Sequence, residues 1–131
     1  MTTLLDTNVL VRHFTGTPSG KAQRATAFLR AAAPGQLVLV DLVAAELVFV
    51  LQSVYQQPRK SVALLLRAVL TLPTVRCEHA LLLHRTIGLY EGGQDFTDAY
   101  LVATAEAESI PTIISFDRGI RNVPDVRRIE P

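Results

Sequence analysis

The chain has a single cysteine, Cys77, among its 131 residues, so no internal disulfide can form, and one thiol without a partner at ligand spacing is not a zinc motif. Cys77 is read instead as a small core residue near a strand end. Charge of one sign is also lacking: 13 Lys and Arg against 12 Asp and Glu give a formal net charge of +1. That excludes the broad basic footprint of a protein holding duplex DNA by charge alone. It leaves room for a local site where metal ions and a few cations offset carboxylates. Long hydrophobic runs do not occur. The longest apolar stretches, 42–51 and 62–66, carry a charge or stop well short of the ~20 residues that cross a bilayer, so no membrane span is expected. The opening Met1-Thr2-Thr3-Leu4-Leu5-Asp6 has no basic segment and meets an acid too early for a secretory signal, which predicts a cytoplasmic protein. Repeats, low-complexity tracts and Pro/Gly/Ser linkers are missing too, which predicts a single domain over residues 1–131.

What is present suffices for a core, since 49% of residues are hydrophobic and only 19% charged. Thr3 to Leu5 reads as a brief strand, and Asp6-Thr7-Asn8 offers capping side chains to a short helix through Phe14. Pro18 and Ser19 open a second, Ala-rich helix that ends before Pro34-Gly35. Leu37 to Val40 is of strand length, and Asp41 is placed to cap a helix over Leu42 to Tyr55. Pro58 opens a helix running to about Leu70. Val75 to Cys77 reads as a strand, His79 to Tyr90 and Phe96 to Ser109 as helices parted by Gly92-Gly93, Thr112 to Ser115 as a buried strand and Val126 to Ile129 as an edge strand. Apolar strands alternating with helices predict an α/β fold with a parallel sheet. In such sheets ligands gather beyond the carboxyl ends of the strands.

That edge is where acids matter. Asp6 ends the first predicted strand and Asp117 follows the fourth, which predicts both near one edge. Asp95 and Asp98, three apart at a helix start, share a face near the positive end of the helix dipole, although either can also be an ordinary cap. Glu46 lies in the apolar run Leu42 to Leu51, and no basic residue is near enough in sequence to pair with it. A carboxylate in such surroundings needs a partner, and a metal ion or its water is one; a solvent stripe or a distant Arg is the other reading. Four converging carboxylates cannot stay uncompensated, because two unit charges ~4 Å apart repel by about 4 kcal/mol at an effective dielectric of 20. Oxygen-only ligands favour Mg²⁺ or Mn²⁺. Metal-assisted phosphodiester hydrolysis fits this inventory. Arg12, Arg118 and Arg121, near the same predicted edge, are candidates for guiding an RNA backbone, since an acidic site must still attract a polyanion.

The order of the motifs goes further. "LLDTNVLV", "VAAELVFVLQSVY", "DFTDAYLVATAEAESIPTIISFD" and "VPDVRRIEP", in that order along nearly the whole chain, resemble a PIN domain, and VapC-type toxins in particular. The resemblance implies a three-layer α/β/α domain with a central, mainly parallel sheet. It implies an Mg²⁺- or Mn²⁺-dependent endoribonuclease, with an acidic quartet falling on Asp6, Glu46, Asp98 and Asp117 and with Asp95 as an additional acid. Thr7, Asn8 and Ser115 are then neighbours expected to hydrogen-bond the carboxylates or a phosphate. Ser115 stands where Thr is commoner, and keeps the hydroxyl. The resemblance also implies a homodimer, an RNA substrate and a small VapB-type antitoxin that wraps the toxin. Two other readings compete: a PIN-fold binding module without catalysis, and an aspartyl-phosphate α/β protein. The second usually needs an acid where this chain has Asn8, and a late lysine where none follows Lys60.

Overall fold

The computed structural model describes residues 1–131 and contains six α-helices and five short strands. The chain divides into two compact units, Met1–Glu78 and His79–Pro131. In the first unit the order is β1 (Thr3–Leu4), α1 (Thr7–Thr15), α2 (Ser19–Ala31), β2 (Leu37–Val38), α3 (Asp41–Phe49), α4 (Arg59–Leu70) and β3 (Val75–Arg76). The strands form a parallel ladder β1-β2-β3, with Thr3 opposite Leu37 and Leu37 opposite Val75. Backbone bonds from Leu5 N–H to the Val38 carbonyl and from Leu39 N–H to the Arg76 carbonyl carry this pairing one step further. Leu5, Leu37 and Leu39 are buried, as expected of apolar residues in a covered parallel sheet.

Around the ladder, the helices bury one stripe each: Leu10 and Val11 of α1, Ala22, Ala25 and Leu29 of α2, Ala44, Leu47 and Val48 of α3, and Val62, Ala63, Leu66 and Val69 of α4. Leu64, on the opposite side of α4, is exposed. Pro18 and Pro58 sit at the N-caps of α2 and α4, where a missing N–H costs nothing. The predicted helix 42–55 is in fact two forms in series. The α-helix ends at Phe49 and a π-helical turn, Val50–Val54, follows. Its cap is Val40, not Asp41, which is the first helical residue. Apolar spacing signals a helix but does not count residues per turn.

The second unit holds α5 (Ala80–Glu91), α6 (Phe96–Ala107), β4 (Thr112–Ile114) and β5 (Arg127–Ile129). Here α5 packs on α6, with Tyr90 and Phe96 meeting edge to face at 5.9 Å. β4 pairs in parallel with β5, Ile113 opposite Arg128. The strands are parallel as expected, but they form two ladders rather than one continuous hydrogen-bonded sheet, so Asp6 and Asp117 follow strands of different ladders. β4 is not the buried strand that its sequence suggested: Ile114 is 66% exposed. An apolar strand residue is buried only where something covers its face, which a single strand's sequence does not state. Val126 precedes the last strand and forms an antiparallel bridge with Val123. Cys77 is half-buried beside β3 rather than fully in the core. No helix is long and apolar enough to cross a membrane.

Candidate active site

The second unit gathers acids around the start of α6. Asp95 occupies the N-cap without a side-chain cap bond, and Asp98 lies in the first turn. The ordinary capping role therefore accounts for the position of Asp95 but not for its carboxylate. Beyond β4 the chain turns through Asp117, whose N–H donates to Ser115 Oγ at 2.9 Å and whose Oδ1 accepts the Gly119 N–H at 2.7 Å. This turn brings Asp117 onto Asp98, and the two carboxyls share a side-chain hydrogen bond. Partial burial, this bond, the Asp117 charge and the Asp95 charge, in that order, push Asp98 up to about 6. The helix dipole acts the other way but supplies only about 0.3–1 kcal/mol, against about 4 kcal/mol between two carboxylates at ~4 Å. Repulsion wins.

Glycine makes the approach possible. A Cβ on Gly119 would stand 3.0 Å from Asp117 Oδ1 and 3.6 Å from Asp98 Oδ2. The Asp117-Arg118-Gly119 sequence carries the signal of an Asx turn, in which an Asp side chain bonds the backbone two residues on. The loop is then tied to the α5–α6 turn: Arg121 Nη1 donates to the Gly92 carbonyl at 2.9 Å and the Arg121 N–H donates to Oε1 of buried Gln94 at 3.4 Å. Arg121, expected from the sequence to face RNA, thus spends its guanidinium on holding the Asp117 loop beside the start of α6. Gln94 had no signal in the sequence beyond its place in a turn.

Gly93 has φ +119, and a Cβ there would lie 2.8 Å from Arg121 Nη2. Gly93→Ala should therefore lose about 1–3 kcal/mol through backbone strain and this clash. Urea denaturation is the measurement. Adding Arg121→Ala should restore part of the loss, and an unchanged midpoint in Gly93→Ala would remove the clamp from the account.

Of the other expected site residues, Asp6, Thr7, Asn8, Arg12 and Glu46 lie in the first unit, and Ser115 and Arg118 in the second. Asp6 is the exposed N-cap of α1, again with no side-chain cap bond. Asn8 is exposed. Thr7 is buried with no partner for its hydroxyl, a group costing about 1–3 kcal/mol when left unpaired. Glu46 is exposed, and Leu42 and Phe49 on its flank are 78% and 65% exposed. Glu46 is therefore not enclosed by apolar neighbours, as its sequence context suggested: the helix is apolar around its circumference, yet this stripe faces solvent. Ser115 accepts a backbone N–H rather than binding a carboxylate. Arg118 lies 4.0 Å from Glu130 and its side chain is largely exposed; Arg12 donates to the Thr17 carbonyl at 3.3 Å.

No group of three or more His, Cys, Asp or Glu side chains is gathered closely enough to hold a metal ion. What the structure brings together is the Asp98–Asp117 pair, with Asp95 near enough to add its charge. A pair that keeps a proton near pH 6 has the donor set of a hard-cation site, since a divalent ion relieves the same repulsion that the proton relieves. Among comparisons with known proteins, a family model described as PIN domain matches residues 3–126. No curated protein matches the chain.

Proposed function

The chain belongs to the PIN-domain family, and on that premise we propose that it is an Mg²⁺- or Mn²⁺-dependent endoribonuclease, the toxin of a VapBC-type toxin–antitoxin pair. PIN domains are typically metal-dependent nucleases. The observation that carries the reading is the Asp98–Asp117 contact with its raised proton affinity. Structural acids are seldom held together against their own repulsion, whereas functional ones are.

In this reading residues 1–131 work as one domain, and Asp98, Asp117, Asp6 and Glu46 are the acidic ligands, with Asp95 adding charge. A bound divalent ion lowers the pKa of its water and stabilises negative charge on the phosphoryl group. Asp98 and Asp117 would hold such an ion as a carboxylate pair, its charge relieving the repulsion that otherwise raises the Asp98 proton affinity. The Gly119 N–H holds Asp117 Oδ1 in place, and Arg121 holds the loop. Thr7 keeps an unspent hydroxyl beside Asp6, of the kind that a phosphate or a hydrated ion satisfies. No side-chain nucleophile is required. The homodimer and the VapB-type antitoxin belong to the same proposal; the exposed Leu42 and Phe49 beside Glu46 are apolar surface that a partner would cover. The protein would act on cytoplasmic RNA.

Purified protein should cut a structured RNA in Mg²⁺ or Mn²⁺ and stop when EDTA is added. Expression alone should arrest bacterial growth, and co-expression with a cognate VapB-type antitoxin should relieve the arrest. Intact RNA at high enzyme concentration in both metals would refute the nuclease reading and favour a PIN-fold binding module.

A further inference from the structure

A groove of about 500 Å³ opens in the first unit between α1 and α2, beside β1. Asn8 and Arg12, one helical turn apart on α1, form one wall; Lys21, Arg24 and Phe28, spaced i, i+3 and i+7 on α2, form the other. The residues α2 buries are Ala22, Ala25 and Leu29, so its cationic and aromatic side chains fall on the flank that lines the groove. Asp6 lines it as well. Three cations against one acid is a local excess in a chain whose total is +1. Neither Lys21 nor Arg24 is engaged in an ion pair or side-chain hydrogen bond. Phe28 is 49% exposed. Cations interleaved with an open aromatic ring make the chemistry of a single-stranded nucleic-acid track, in which charges follow the backbone and the ring stacks on a base. An acidic peptide would use the cations but would leave the ring unexplained.

We propose that this groove binds a single-stranded segment of RNA, with Arg12, Lys21 and Arg24 meeting phosphates and Phe28 stacking on a base, so that the strand passes Asp6. The proposal rests on the nuclease reading for the identity of the ligand, but it concerns binding, which is measurable without cleavage. Each phosphate contact releases counterions, so losing two contacts lowers the slope of log K against log salt by about 1.4, at about 0.7 per contact for single strands. Stacking is uncharged. Its loss weakens binding at every salt concentration by about 5- to 150-fold, the equivalent of about 1–3 kcal/mol per base, and leaves the slope alone.

The test is fluorescence anisotropy of a labelled 12-nucleotide single-stranded RNA on the full chain carrying Asp98→Asn, so that the probe stays intact, titrated between 50 and 200 mM salt. Circular dichroism checks that each variant is folded. Lys21→Ala with Arg24→Ala should weaken binding and flatten the slope; Phe28→Ala should weaken it without flattening. An unchanged slope in the first variant, unchanged affinity in the second, no RNA binding by the parent, or binding of a polyglutamate peptide that RNA does not displace would each overturn the proposal. If instead the groove variants behave as stated while unsubstituted protein never cuts RNA, the track stands and the nuclease reading falls.

Discussion

Asp98→Asn should abolish RNA cleavage while leaving the protein folded. The substitution keeps the side chain's shape and removes the charge that pairs with a cation. Were Asp98 only a first-turn acid completing a helix start, Asn would serve nearly as well and activity would hold. As half of a metal-holding carboxylate pair with Asp117, it would contribute to the stabilisation of charge developing on the phosphoryl group. Removing one such electrostatic contribution costs on the order of 3–4 kcal/mol in the barrier, or about 10²–10³ in rate. Cleavage by purified wild type and variant in Mn²⁺, with circular dichroism of both, decides it, and equal rates would sink the role of Asp98.

The same variant carries a pH signature in the absence of metal. Asp98 is raised from the ordinary 3.8 to about 6 in the folded protein. Between those values the folded state holds a proton that the unfolded chain has released, so stability is full below about pH 4 and is lost as pH rises through about 6. Melting curves of wild type in EDTA should fall across that window relative to Asp98→Asn, and the two should run parallel above it. Solvent screening keeps the difference small, because Asp98 is only partly buried. A difference of the opposite sign would mean that the Asp98–Asp117 contact stabilises the charged form.

A melting temperature that climbs with Mn²⁺ or Mg²⁺ is the second large effect. A ligand at about a hundred times its Kd stabilises the folded state by about 2.7 kcal/mol, roughly 10 °C for a chain of this size. The sample is the chain purified alone. Asp98→Asn should remove most of the rise, and Asp6→Asn should remove part of it if Asp6 is a ligand of the same ion. A curve that neither ion moves would count against the metal site, and a rise that survives both substitutions would place the ion elsewhere.

The sequence by itself determined the elements and the class. All five strands and six helices stand where apolar spacing, prolines and glycines put them, with ends shifted by a few residues, because those signals act between near neighbours along the chain. The acidic motifs were legible for the same reason: Asp6 caps the helix that follows the first strand and Asp98 lies in the first turn of a helix, and both positions follow from local pattern. What only the tertiary structure decided is which faces are covered and which side chains meet. Glu46 looked enclosed because a list of neighbours does not show that Leu42 and Phe49 share its solvent-facing stripe. Arg121 looked free to meet RNA because nothing in the sequence indicates that the Gly92 carbonyl, 29 residues earlier, accepts its proton. The Asp98–Asp117 pair joins residues nineteen apart. Its raised proton affinity depends on a distance, and Coulomb energy is set by separation in space rather than along the chain.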